Sequence, residues 1–284
     1  MDKEINNIVI LLKSIFNKIK YFIFKIFLNF SKEIIFKGKF NIKYNINRHS
    51  ALDVIILNIG ILDEYILKNS FLQNEKPVII DVGANVGYIS LPLSKIYPNS
   101  KIYSYEADSR VFQRLVKNLE LNSDITNVFP YELALQDKNI SSINFYQRDL
   151  LDGDFKINLG LSTLSDISLG KVKKNSVSAS TIDNEVKKLN IKHVDFIKID
   201  VEGNEIKVLK GAIETLSAFN PIIQYEFSRV IDKLQGFNNS IQCFNFLSDL
   251  GYLQYELLNE NEMLLLDSPS PISDNVNILC IKNK

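Results

Sequence analysis

Cysteine is scarce in this 284-residue chain, with Cys243 and Cys280 its only two. Two distant thiols cannot make a disulfide framework, and no cysteine or histidine spacing matches a zinc site. They read as reduced core residues of a cytoplasmic protein. Glycine (11) and proline (7) are too few for a collagen-like chain, and a 46% hydrophobic composition is too apolar for a wholly disordered one. No uninterrupted apolar run approaches the ~18 residues that a membrane-spanning helix needs. The opening residues do not read as a secretory leader, because Asp2 and Glu4 stand where basic residues belong. Net charge is absent too: 33 basic residues balance 33 acidic ones, which argues against a nucleic-acid partner held by bulk charge.

That balance hides an asymmetry. The first 50 residues hold nine lysines and one arginine against three acids, so a basic arm precedes an acidic body. Within the arm, Ile5, Ile8, Val9, Leu12, Ile15, Phe16, Ile19, Phe22, Ile23, Ile26, Phe27 and Phe30 recur at helical spacing. An amphipathic helix of this kind packs on a protein core, or it lies on a membrane surface with its lysines outward. Residues 38–50 are polar and poorly periodic and read as a connector. The expected division is an N-terminal helix and connector over residues 1–45 and one domain over 46–284. The expected location is the cytoplasm, with peripheral contact at the inner membrane surface through residues 5–30 as the alternative to packing.

From residue 51 the pattern alternates. Leu52–Leu62 is helical in spacing. Pro77–Val82 is a compact β-branched run suited to a buried parallel strand. Further strands are expected over Lys101–Glu106, Val128–Leu135, Val194–Asp200, Pro221–Glu226, Gly251–Leu257 and Asn277–Ile281. Helices are expected between them, including Val111–Leu121, Thr181–Leu189, Ile206–Leu216 and Ile241–Leu250. Residues 139–180 are less regular, with Ile143–Tyr146 as one short strand. Repeated β-then-α units predict a Rossmann-like, doubly wound α/β fold with a mostly parallel seven-stranded sheet. Such sheets bind ligands at the carboxyl ends of their strands.

The first of those ends carries Asp81-Val82-Gly83-Ala84-Asn85-Val86-Gly87. Gly83 and Gly87 let the backbone approach a ligand closely, and the turn opens a helix whose N–H groups face it. Glu106 ends the next strand, where a carboxylate accepts ribose hydroxyls. A dinucleotide prefers G-x-G-x-x-G, but Asn85 stands at the middle glycine and Asp81 would repel a pyrophosphate. A ligand carrying ammonium, sulfonium and ribose suits this charge pattern, and S-adenosylmethionine is such a ligand. Asp81, Gly83, Asn85, Gly87 and Glu106 are the cofactor candidates, with Ala134 lining an adenine. The bland alternative is a glycine turn that only packs a helix onto a strand.

The string Ile80–Tyr88 resembles the cofactor motif of the FkbM family of class I methyltransferases, and Tyr105-Glu106-Ala107-Asp108 resembles its acidic post. Phe196–Glu205 (FIKIDVEGNE), followed by Val208-Leu209-Lys210-Gly211, is similar to the family's I-K-I-D-V-E-G-x-E block. Thr181-Ile182-Asp183 and Arg48–Asp53 match lesser elements, so the resemblance runs from about residue 48 to 228. Ala107 departs from the proline that often follows the acid. The resemblance implies a hydroxyl acceptor, often on a sugar or a polyketide-like metabolite.

At the strand ends, Asp200 reads as the base or acceptor-orienting group, with Glu202 and Glu226 as alternatives. A blander reading makes Glu202 a helix cap and Asp200 a ligand to the cofactor's amino group. Lys198 shares a face with Asp200, which suits an ion pair or a contact to the substrate hydroxyl. Ser162 and Thr163 are candidates in the acceptor pocket. No metal is expected, since no Asp-Asn pair ends the fifth strand. No N-P-P-Y-type element follows the fourth strand either, which favours oxygen over nitrogen as the methylated atom. The expected function is O-methylation of a small-molecule hydroxyl, on a sugar of a glycan or glycolipid. The competing readings are a nicotinamide-dependent oxidoreductase and a non-catalytic interaction protein on the same fold.

Overall fold

The structure is a computed structural model and describes residues 33–47, 53, 72–148, 172–259, 262–270, 272–273 and 275–282. The chain divides into two compact units, residues 1–62 with 150–160 and residues 63–149 with 161–284. In the first, β1 (Glu33–Lys37) pairs antiparallel with β2 (Lys43–Asn47). The stretch expected as an irregular connector therefore contributes half of a hairpin. Ile42, Tyr44 and Ile46, two residues apart, are all buried, an alternation masked by the Asn-rich composition. Of the helix expected over residues 52–62, only Asp53 is described, and it is helical and buried. The amphipathic stretch 5–30, Arg48, His49, Ser162 and Thr163 lie outside the described residues.

The second unit opens with β3 (Val78–Val82), α1 (Ser90–Ile96), β4 (Lys101–Glu106), α2 (Ser109–Glu120) and β5 (Val128–Glu132). A smaller sheet follows from β6 (Ala134–Leu135), β7 (Ile140–Arg148) and β8 (Val172–Ser180), in the order β6-β8-β7. The chain then returns through α3 (Ile182–Lys188), β9 (Phe196–Ile199), α4 (Glu205–Lys210), α5 (Ile213–Phe219) and β10 (Ile222–Ser228). It closes with α6 (Arg229–Gln235), α7 (Asn239–Asp249), β11 (Tyr252–Asn259), β12 (Glu262–Leu266) and β13 (Asn275–Lys282).

Among the described residues the main sheet has eight strands in the order β12-β11-β13-β10-β9-β3-β4-β5. The run from β10 to β5 is parallel and the far edge is antiparallel. This is the doubly wound α/β class, with one strand beyond the seven expected among the described residues. The extra strand is β12, whose Met263, Leu264 and Leu265 are exposed, so no alternation marked it. Strand order reverses at β3, which sits between β4 and β9, and the carboxyl ends of β3 and β9 meet there. All five residues of β3 are buried, as befits a central strand covered on both faces.

Two expected elements divide and one stretch is more regular than expected. The strand expected over Val128–Leu135 breaks at Leu133, whose N–H bonds the Glu106 carbonyl at 3.0 Å, and β6 then joins the smaller sheet. The expected 206–216 helix becomes α4 and α5, parted at Gly211. Residues 139–180 hold the long β7–β8 pair where one short strand was expected. Helix α6 was not foreseen. It is held by the Ser228 side chain accepting from the Ile231 N–H at 3.2 Å and ends at Gly236 in the left-handed region.

At Gly211 a side chain has no room, because a Cβ there would lie 2.0 Å from the Gln136 carbonyl oxygen. Gly211→Ala should destabilise the chain by about 2–3 kcal/mol, read as a lower urea midpoint with an unchanged slope. Wild-type stability in this variant would remove the close approach as the cause of the break.

Candidate active site

Residues two apart on a strand share a face, and register sets them beside their neighbours. Ser104 pairs with Asp81, Asp81 with Lys198, and Lys198 with Gln224, so four polar residues line up across β4, β3, β9 and β10. All four are buried. Two residues on lie Glu106, Gly83, Asp200 and Glu226, at the carboxyl edge of the same strands. The strand ends therefore carry two polar rows, an inner one sealed in the sheet and an outer one at its rim.

The glycine turn is braced from several sides. The Gly83 and Ala84 N–H groups bond the Tyr105 carbonyl at 2.9 and 3.0 Å. Gly83 has φ 81°, and a Cβ on it would sit 1.8 Å from the Asp200 carbonyl oxygen. Gly87 has φ 91°, and a Cβ there would lie 2.3 Å from Leu91 and 2.8 Å from Leu115. Asn85 is also left-handed at φ 51°, and its side chain accepts from the Val86 N–H at 2.8 Å. Asn118 on α2 donates to the Val86 carbonyl at 2.8 Å, tying the turn to that helix.

Glu106 links this turn to the next. One of its carboxylate oxygens accepts from the Asn85 N–H at 2.9 Å, and the other from the Asp108 N–H at 2.8 Å. Burial raises its pKa from 4.5 to about 7. Asp81 lies deeper, fully buried beneath the turn. Ser90 donates to one of its oxygens at 2.5 Å, and the other has no partner among the described residues. Burial raises the Asp81 pKa, and the nearby Lys198 ammonium opposes that rise.

At the β9 end, the Lys198 ammonium donates to Asp200 at 2.9 Å; the lysine side chain is 4% exposed and the aspartate 39%. Ligand oxygens of Asp200, Glu202 and Glu226 lie within 4.8 Å of one another. Glu202 has φ 54°, a conformation that is costly without glycine and is held here by its surroundings. Gln235 on α6 donates to the Glu202 carbonyl at 2.9 Å. Gly203, at φ 90°, leaves the space that the Gln235 side chain fills.

The fold thus brings Asp81, Gly83, Asn85, Gly87 and Glu106 together, and Asp200, Glu202 and Glu226 beside them. Lys198 is engaged with Asp200. Ala134 is buried on β6, two residues past the Glu132 that pairs with Glu106. Three residues that shape the site carried no assignment from the sequence. Glu205 accepts from the Val201 and Gly203 N–H groups, both at 3.1 Å, and from the Asn239 amide at 2.5 Å. Gln235 and Gln224 are the others. Glu205 had a signal, since an acid two residues after a glycine at a helix start can fold back onto preceding N–H groups. The two glutamines had none.

A profile of the methyltransferase FkbM domain matches residues 81–253. The chain belongs to this family. Its domain is a methyltransferase domain, with S-adenosylmethionine as cofactor. Among curated proteins, methyltransferase sdnD of Sordaria araneosa is 27% identical over 158 residues, covering 49% of this chain and 61% of that protein. The 2-O-methyltransferase NoeI of Sinorhizobium fredii (strain NBRC 101917 / NGR234) is 27% identical over 156 residues, covering 52% and 62%. The matched stretch is thus about three fifths of each relative. A solved FkbM methyltransferase from Methylobacillus flagellatus KT aligns with TM-score 0.49 at 14% identity, covering 82% of this chain and 55% of that one.

Two acids of the FkbM domain titrate far from their ordinary range. Burial raises both Glu106 and Glu205 from 4.5 to about 7. Between those values the folded chain keeps protons that the unfolded chain has lost, so stability should fall as pH rises from 4.5 to about 7. Urea midpoints across that range should show the decline, and Glu106→Gln or Glu205→Gln should each make it shallower. A flat profile in the wild type would contradict the burial of both acids.

Proposed function

We propose that this protein methylates a hydroxyl group of a small molecule, with a sugar of a glycan or glycolipid as acceptor. The observation that carries this reading is the convergence of a Glu106-braced glycine turn with three carboxylates at adjoining strand ends. The turn fits the cofactor: Gly83 lets the turn pass against the Asp200 carbonyl beside the acids, and Glu106 offers its carboxylate to ribose hydroxyls. Asp81 sits too deep to touch the ligand and acts on it as a buried acid below the turn. Ala134 lines the adenine end. When bound, the cofactor supplies a sulfonium methyl, whose S–C bond breaks as the O–C bond to the acceptor forms.

Asp200 takes the proton that the acceptor hydroxyl gives up. It is half-exposed, so an acceptor reaches it, and Lys198 fixes its orientation from below. Glu202 and Glu226 accept from neighbouring hydroxyls and set the angle of attack. A relative named as a 2-O-methyltransferase supports oxygen as the target atom. The basic amphipathic stretch 5–30 holds the enzyme at an anionic membrane surface, where lipid-linked acceptors are found. Among the described residues, no helix is long and apolar enough to cross a membrane.

Labelled S-adenosylmethionine incubated with cell extract and the pure protein tests the reading. Wild type should label a hydroxyl-bearing product. Asp200→Asn should cut the rate by about 10²-fold or more while S-adenosylhomocysteine still raises the melting temperature. Label transfer unaffected by Asp200→Asn would remove Asp200 from the chemistry, and no thermal shift with S-adenosylhomocysteine would remove the cofactor assignment. Deleting residues 1–35 should abolish pelleting with anionic vesicles; unchanged pelleting would end the membrane assignment.

A further inference from the structure

We infer that Gln147, on the β7–β8 hairpin outside the main sheet, is a positioning residue for the ribose end of the cofactor, acting on Glu106 through Asp108. The inference rests on the proposed contact of Glu106 with ribose hydroxyls and adds what sets the strength of that contact. One oxygen of the Glu106 carboxylate accepts from the Asp108 N–H at 2.8 Å. Each oxygen of a carboxylate so held keeps a second lone pair for a ligand hydroxyl. The aim of Glu106 therefore follows the place of the Asp108 backbone. Asp108 is buried, and its side chain is gripped from two directions. From α2, it accepts from the Arg110 N–H at 3.0 Å and from the Arg110 guanidinium at 3.2 and 2.9 Å, as a helix cap does. From the hairpin, the Gln147 amide donates to it at 2.8 Å, a contact that capping α2 does not require.

The second observation is how Gln147 is itself held. It is buried, and a carboxylate only accepts, so its amide nitrogen must face Asp108 and its oxygen must turn away. Asn175 on β8 donates its own amide to that oxygen. Asn175 lies opposite Phe145 in register, so it shares a face with Gln147 one pair along the ladder. Both ends of a buried amide are thus matched, which removes the cost of burying it. The smaller sheet meets the same loop a second time, where the Leu133 N–H bonds the Glu106 carbonyl at 3.0 Å just before β6. The loop from Glu106 to Asp108 is therefore held between two sheets. The hairpin supplies no strand to the main sheet, yet it fixes the loop on which the ribose contact depends.

Calorimetric titration of the full-length protein with S-adenosylhomocysteine and with its 2′-deoxy analogue tests this. The ratio of the two dissociation constants measures the grip on the ribose hydroxyl, which a general loss of packing does not change selectively. Wild type should prefer S-adenosylhomocysteine about tenfold or more, as loss of a hydrogen bond to a carboxylate implies. Gln147→Met keeps the side chain's length and removes its amide. It should weaken S-adenosylhomocysteine about tenfold and bring the ratio below about threefold. Asn175→Leu should lower the ratio by a smaller factor, and it carries the test if Gln147→Met does not fold. Ser142→Ala removes an exposed contact to Ser176 on the same hairpin and should leave the ratio at the wild-type value. A ratio that no folded variant at Gln147 or Asn175 changes overturns the inference and leaves the Glu106 contact standing. A wild type that binds both ligands equally removes the ribose contact and the inference with it. A wild type that binds neither removes the cofactor assignment and the inference together.

Discussion

The Asp200 carbonyl rests against the α-carbon of Gly83, and the working surface of this protein depends on that contact. A Cβ at Gly83 would lie 1.8 Å from the Asp200 oxygen, so any other residue would push the ends of β3 and β9 apart. With glycine there, the turn after β3 lies directly against the start of the segment after β9 that carries Asp200. Two buried acids then hold the loops on either side. Glu106 bonds N–H groups of the turn and of the loop after β4, and Glu205 bonds two N–H groups between Asp200 and Glu205 itself.

Beneath this rim, the inner row of Ser104, Asp81, Lys198 and Gln224 is an uneconomical way to build a sheet. An apolar row would satisfy a parallel sheet core better, and among the described residues polar atoms of both Asp81 and Gln224 find no partner. Charge explains part of the arrangement. Lys198 offsets the cost of burying Asp81 on one side and orients Asp200 on the other. Polar groups buried at a stability cost directly beneath a rim of acids mark where function has outweighed stability. The same holds for Glu202, whose left-handed backbone is kept in place by Gln235 and Gly203.

The parallel strands were legible because buried strands write themselves as dense β-branched runs, as in Val78–Val82. Their ends were legible because Gly83, Gly87, Glu106 and Asp200 each sit where a run stops. Other features had no local trace. β12 is an exposed apolar edge strand, α6 has too few residues for a period to emerge, and the Asn-rich β2 hides its alternation among polar neighbours. The 206–216 helix looked continuous in its apolar spacing. Its break at Gly211 comes from a close approach to Gln136, 75 residues earlier in the chain.

By itself, the sequence determined the α/β class, the glycine turn with its acidic partner, and the candidate carboxylates, because each depends on short-range pattern or on residue chemistry. Only tertiary structure decided that Glu226 stands within reach of Asp200 and Glu202, that Asp81 is sealed below the turn, and that Gln224 is buried in register with Lys198. Those facts depend on which strands are neighbours and in what register. Neighbour and register are settled by packing over the whole sheet, and no window of sequence contains them.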